Sequence, residues 1–278
     1  MTVLEFTAVV AIGSLGAGFL GALTGLGGGV VIVPLLVLGL GVDLRYAVGA
    51  SLISVIATSS GAAAAYVREG YSNIRIGMFL EIATSLGAVA GAYLAAVVTG
   101  SSVAVIFGLV LLVSAYLSMR HRTGPTETAK PDPLAARLRL DGSFPTPEGP
   151  QSYHARHVPL GFGLMFLAGL LSGLLGIGSG ALKVLALDQA MAIPFKVSTT
   201  TSNFMIGVTA AASAGIYLAR GQIDPGLSLP VVLGVLVGSM LGARVLMGAS
   251  VRVLRGIFAA VIVVLGVQMI YKGLTGGL

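Results

Sequence analysis

"LTGLGGGVVIVP" (residues 23–34) interrupts an otherwise apolar stretch with four glycines, Gly25, Gly27, Gly28 and Gly29, and closes on Pro34. Glycine weakens a helix, and proline removes a backbone donor from one. A helix entering this stretch is therefore expected to break, with a new one beginning after Gly29. The surrounding composition decides what kind of break it is.

Hydrophobic residues make up 56% of the 278 residues and charged residues only 9%, where a soluble domain carries about a quarter charged. Long apolar runs cover residues 4–42, 46–67, 76–98, 102–119, 158–182, 197–219, 226–243 and 256–271. Runs of roughly 18 or more apolar residues mark transmembrane helices. The chain reads as an all-α polytopic membrane protein, since no short alternating segments suggest a β-barrel. Its first segment, "MTVLEFTAVV", lacks the basic region of a cleaved signal peptide and is expected to be retained as a helix. The chain has no cysteine, which excludes disulfides and thiolate metal sites. Its formal net charge of +6 is expected to reflect cytoplasmic loops rather than nucleic-acid binding.

Shifting the chain by 151 residues aligns its two halves without a gap. "GLGGG" (25–29) falls on "GIGSG" (176–180), Arg45 on Lys196, Ser51 on Ser202, Tyr66 on Tyr217, Gly87 on Gly238 and Gly91 on Gly242. Landmarks that hold one offset over so long a stretch indicate a duplication. The expected organisation is a first membrane repeat (1–119), a polar, proline-rich cytoplasmic linker (120–157) and a second membrane repeat (158–278), with "PLAARLRL" as a short surface helix in the linker.

Each repeat has five apolar segments. The second segment of the first repeat is short, rising about 22 Å against a hydrocarbon core of about 30 Å. The first two segments are then two tilted spans or a re-entrant pair meeting at the glycines. Either count of crossings is odd, which gives two inverted five-segment repeats with interrupted or re-entrant helices at the glycine motifs. Merging the first two segments would give four crossings and parallel repeats. The odd count leaves only Arg45, Arg220 and Lys272 outside, and the positive-inside rule favours it. The expected placement is a multi-pass protein of the cytoplasmic membrane with a cytoplasmic linker and both termini outside.

Interrupted helices at matching positions of inverted repeats point to a transporter's binding site. Fresh helix starts after Gly29 and Gly180 present unpaired N–H groups that attract anions. Gly25, Gly27, Gly28, Gly29, Gly176, Gly178, Ser179 and Gly180 are therefore candidate substrate-binding residues. Singly spaced glycines such as Gly18, Gly21, Gly87, Gly91, Gly238 and Gly242 are expected to serve helix packing instead. "AVGASL" (47–52) aligns with "STTTSN" (198–203). Their hydroxyls are good N-caps, but the second set exceeds what capping needs, so Ser51, Thr200, Thr201, Ser202 and Asn203 join the candidates. Lys183, three residues past the second break, is a candidate anion ligand; its alternatives are snorkelling or pairing with Asp188, a poor i+5 partner. Glu81 and Asp188 are the candidates for carrying a coupling ion, although Glu81 is expected near the cytoplasmic interface.

With these motifs in hand, the chain resembles the TauE/SafE family of sulfite-exporter-type permeases. The residues carrying the resemblance are "GLGGGVVIVPLLV" with "VGASL", and "GIGSG" with "KVSTTTSNFMIGVTAA". The resemblance implies secondary transport of small anions, notably sulfite and organosulfonates, across the cytoplasmic membrane. Two departures stand out: Ser179 replaces a third consecutive glycine, and Ala50 stands where the family often shows threonine.

The function expected is a secondary anion transporter working by alternating access. A passive anion channel, or a permease for another small solute or a cation, is the alternative. An intramembrane enzyme is disfavoured because His121, His154 and His157 all lie in or beside the linker. No cofactor is expected and no nucleotide-binding motif appears. The expected partners are a small anionic substrate and the lipid bilayer, not nucleic acid; a homodimer is compatible with the sequence.

Overall fold

The structure, a computed structural model, describes residues 3–24, 28–68, 70–119, 132–146, 149–176, 178–248 and 250–275. The apolar runs fold as helices in the order the repeat requires. The first repeat gives α1 (Val3–Thr24), α2 (Gly29–Pro34), α3 (Leu44–Arg68), α4 (Ile74–Leu94) and α5 (Gly100–Met119). A short α6 (Pro133–Leu138) and a hairpin of β1 (Gly142–Thr146) and β2 (Gly149–Tyr153) follow. The second repeat gives α7 (Val158–Leu175), α8 (Gly180–Leu185), α9 (Phe195–Ala219), α10 (Pro225–Gly248) and α11 (Val251–Thr275). Helices α2, α3, α4 and α5 begin 151 residues before α8, α9, α10 and α11. Both short helices continue into a π-helical turn, Leu35–Gly39 and Ala186–Ala190, a geometry that often marks functional positions. Among the described residues, five helices are long and apolar enough to cross a membrane: Glu5–Leu23, Ile74–Leu94, Val158–Leu175, Phe195–Ala219 and Pro225–Val245.

Glycines let the long helices approach at backbone contact. A Cβ on Gly234, Gly238 or Gly242 of α10 would meet Ala11, Leu15 or Phe19 of α1, in that order. Gly49 and Gly61 of α3 likewise meet Gln222 and Ser239. Thus α1, α3 and α10 run in one sense. On the other side, Gly87 and Gly91 of α4 close on Phe166 and Leu170 of α7, while Gly77 faces Thr201 and the Ala92 carbonyl accepts from Arg220. So α4, α7 and α9 share a sense as well. Helix α3 crosses α9 in opposite sense, with Ser59 against Gly207 and Gly49 against Gln222, just beyond the end of α9. The first helix of each repeat therefore lies along the fourth helix of the other, while α3 meets α9 and α5 meets α11.

The polar stretch expected to be an exposed linker carries structure where it is described. Leu140, Tyr153 and Ala155 join Ile76, Leu80 and Met165 in one buried cluster. The hairpin thus sits against the first turns of α4 and α7. Asn73 donates to the Leu140 carbonyl and to the Tyr153 hydroxyl. Asp132 ties two helix starts together, accepting from Leu134 N at 2.8 Å with Oδ1 and from Val158 N at 3.0 Å with Oδ2.

Two outcomes follow from this packing. A Cβ on Gly173 would lie 1.9 Å from the Ala88 carbonyl, so Gly173→Ala must part α4 from α7. The expected cost is about 1–3 kcal/mol, read as a lowered Tm in detergent, whereas Gly16→Ala, facing open space, leaves Tm unchanged. The second concerns pH. The Val158 N–H donated to Asp132 holds its carboxyl below the ordinary 3.8. A lowered folded value means the stabilisation is complete above 3.8 and lost as pH falls through the lowered value. Hydrogen-exchange protection at Leu134 and Val158 should be flat at neutral and mildly acid pH and fall below 3.8; in Asp132→Ala it should be low throughout.

Candidate functional site

The first break runs from the end of α1 at Thr24 to the start of α2 at Gly29, the second from Leu175 to Gly180. Gly25 and Gly27 lie outside the described residues. Gly28 and Gly29 are buried, and a Cβ on Gly28 would stand 2.9 Å from Thr58 Oγ1. In the second break Gly176, Gly178 and Ser179 take φ values of 68°, 77° and 47°. Glycine adopts this left-handed region freely, but serine does so at a cost. Ser179 is also buried, and its hydroxyl has no hydrogen-bond partner among the described residues. A strained residue holding an orphaned polar group is a recurring mark of a ligand site.

Each broken helix leaves carbonyls that its own turn cannot satisfy. Side chains of α3 and α9 supply donors, two of them across the repeats. Ser51 Oγ on α3 donates to the Gly176 carbonyl at 2.9 Å, and Asn203 Nδ2 on α9 donates to the Ala22 carbonyl at 3.0 Å. Ser202 Oγ approaches the Gly180 carbonyl at 3.4 Å. Thus Ser51, Ser202 and Asn203 gather at the breaks.

Thr200 and Thr201 do not. Thr200 Oγ1 donates to the Tyr71 carbonyl at 2.9 Å, and Thr201 Oγ1 accepts from Asn73 N at 3.1 Å. Both pin the turn between α3 and α4, beside the hairpin. The polar opening of α9 is therefore split between two sets of partners, the α3–α4 turn and the breaks. Neither set caps it, because the N-cap residue of α9 is Pro194, which makes no side-chain cap. Thr199 Oγ1 and Asn203 Oδ1 remain buried without a hydrogen-bond partner among the described residues.

Lys183 lies on α8, 0% exposed. Its ammonium donates to Thr209 Oγ1 of α9 and stands 3.6 Å from Glu81 Oε2 of α4. Thr209 in turn donates to Glu81 Oε1, which also accepts from Ser85 Oγ at 3.0 Å. Glu81 Oε2 is buried with no hydrogen bond among the described residues. Glu81 is only 7% exposed, so its side chain is packed inside the protein. Its partner sits in the other repeat. Asp188 lies in the π-helical turn after α8, accepting from Gln189 Nε2 at 2.7 Å. An isolated buried charge is very costly, and a pair becomes tolerable only when hydrogen bonds complete it.

Sequence reasoning missed Thr209 and Ser85. Ser85 was findable, one helical turn beyond Glu81; Thr209 stands in an apolar run with no spacing that ties it to either charge.

Comparison with known proteins gives a consistent result. The family described as Sulfite exporter TauE/SafE matches residues 10–269. A probable membrane transporter protein of Bacillus subtilis, YunE, is 28% identical over 98% of this chain and 99% of its own. A probable membrane transporter protein of Xylella fastidiosa is 25% identical over 95% of each chain. Another, ORF9 of a Sinorhizobium species, is 21% identical over 91% of this chain and 88% of its own. No solved structure gives a significant match. The chain belongs to the sulfite exporter TauE/SafE family, and it is a membrane transporter rather than an enzyme.

Proposed function

We propose that the protein is a secondary transporter of small anions, foremost sulfur oxyanions of the sulfite and organosulfonate type, working by alternating access across the cytoplasmic membrane. The reading takes the two repeats as inverted, with the linker cytoplasmic and both termini outside. Opposed senses of α1, α3, α10 and of α4, α7, α9 support it, as does the depletion of basic residues from one face.

The observation that carries the reading is Lys183. A lysine wholly buried beside a helix break is functional by default within a membrane segment. Its ammonium is closed off by Glu81 and Thr209, so an anion reaches it only by displacing the carboxylate. The pair alone is neutral, and adding an anion leaves one uncompensated negative charge in a medium of low dielectric. Protonating Glu81 restores neutrality. Glu81 then carries the coupling proton, and one proton accompanies each monovalent anion. Ser179, with its unpaired hydroxyl, and Asn203 are the polar groups nearest the breaks for an incoming oxyanion. Asp188, held by Gln189, stands outside this exchange.

Methanesulfonate suits the test, because it stays anionic across the working pH range and any pH effect belongs to the protein. In proteoliposomes, wild-type uptake should saturate and accelerate when the uptake side is made acidic. Glu81→Gln should remove that acceleration. Lys183→Met risks instability because it strands Glu81, at a cost of about 3–5 kcal/mol. The double variant Lys183→Met with Glu81→Gln removes both charges, and it should fold yet lose uptake by at least about tenfold, or 1.4 kcal/mol. Unchanged uptake in a folded double variant overturns the reading. Reporters fused to either end should score on the outer face; cytoplasmic scores contradict the orientation.

A further inference from the structure

The positive-inside arrangement leaves Arg45, Arg220 and Lys272 as the basic residues of the outer face. All three line a single cavity of about 910 Å³. Its walls come from the first turn of α3, the α4–α5 connection, and the C-terminal ends of α9 and α11. The hairpin, by contrast, sits at the first turns of α4 and α7. The cavity therefore opens on the side away from the linker. Its wall includes Val33 of the short helix α2, and Leu174 and Leu175 at the end of α7, next to Gly176. It reaches the first short helix and the edge of the second break.

Asp43 is the acidic residue in this wall, and its Oδ1 is already engaged by the Arg45 backbone N–H at 2.9 Å. Three cations against one carboxylate leave a formal excess of two positive charges. Among the described residues, none of the three cations has an ion pair within 4.0 Å. Arg220 is fixed to the wall through Nη1, which donates to the Ala92 carbonyl at 2.8 Å, and its remaining N–H groups are left for a ligand. Low-dielectric walls around charge of one sign focus the field and concentrate counter-ions. Scattered residual cations would not converge on one cavity that runs to the end of α7 beside the second break.

Building on the anion-transport reading, we infer that this cavity is an anion-collecting vestibule, in which Arg45, Arg220 and Lys272 hold hydrated oxyanions and small organosulfonates before they reach Lys183. Its volume, at the upper end of ligand pockets, far exceeds one such anion. Selection by shape is left to the narrower site below, and the vestibule selects by charge alone. Capture from this face is faster than from the linker face and falls with ionic strength.

The absence of native cysteine allows a direct test in the full-length protein. Val98 lines the cavity, so Val98→Cys can be reacted with an anionic sulfonatoethyl and a cationic trimethylammonioethyl methanethiosulfonate in vesicles of zwitterionic lipid. Relative to a free thiol, the anionic-to-cationic rate ratio should rise about tenfold, within the range of electrostatic steering. Combining Val98→Cys with Arg45→Gln, Arg220→Gln and Lys272→Gln should abolish that rise. Methanesulfonate should protect the thiol. An unbiased ratio in the parent overturns the vestibule, and so does protection only by phosphatidylglycerol, which would make it a lipid-headgroup site. These readouts need no transport. A charge-biased vestibule in a protein that carries no anion would defeat the transport reading instead, and the two failures stay distinct.

Discussion

A membrane interior offers no water to complete a broken helix, so every carbonyl freed at a break must find its donor inside the protein. That constraint organises this molecule. The breaks at Gly28 and Gly178 are tolerable because Asn203 reaches the Ala22 carbonyl and Ser51 reaches the Gly176 carbonyl. Both of these donors come from the third helix of the opposite repeat, while Tyr217 of α9 serves the second interruption from within its own repeat by donating to the Gly173 carbonyl at 2.7 Å. The two breaks thus tie the halves to each other. The glycine contacts of α1 with α10 and of α4 with α7 serve the same end, bringing the repeats close enough for short side chains to span them.

The same reasoning governs charge. Lys183 is tolerated at zero exposure because Glu81 and Thr209 converge on it from two other helices, with Ser85 holding Glu81. Buried ion pairs add little to stability and are often replaceable by apolar residues. Retaining one beside a broken helix, where an all-apolar interior would be simpler, points to use. The cavity lined by Arg45, Arg220 and Lys272 shows the opposite arrangement, three cations against the single carboxylate of Asp43. In the proposed transport cycle, charge is in excess where an anion would first arrive and compensated where it would leave water.

Much of this was legible in the chain. The offset of 151 residues anticipated the matched starts of α2 with α8 and of α3 with α9, because an ungapped duplication preserves both pattern and punctuation. Gly25–Gly29 and Gly176–Gly180 announced the breaks through backbone freedom, a local property. What escaped was relational. Glu81 and Lys183 belong to different repeats, and no helical spacing joins them. Thr200 and Thr201 looked equivalent to Ser202 and Asn203, yet the turn between α3 and α4 packs against them, at Tyr71 and Asn73, and takes up their hydroxyls. "GSFPTPEGPQSY" read as loop on its prolines, although a two-stranded ribbon accepts proline at Pro145 and Pro150 because both of its strands are edges.

The central claim is that an anion opens the buried pair and leaves Glu81 protonated. An infrared difference spectrum of the reconstituted protein, recorded on adding methanesulfonate, tests it most directly. A protonated-carboxyl band should appear in the wild type and be missing in Glu81→Gln. Saturable binding of the anion with no carboxyl band, or with one that survives that substitution, would contradict the account.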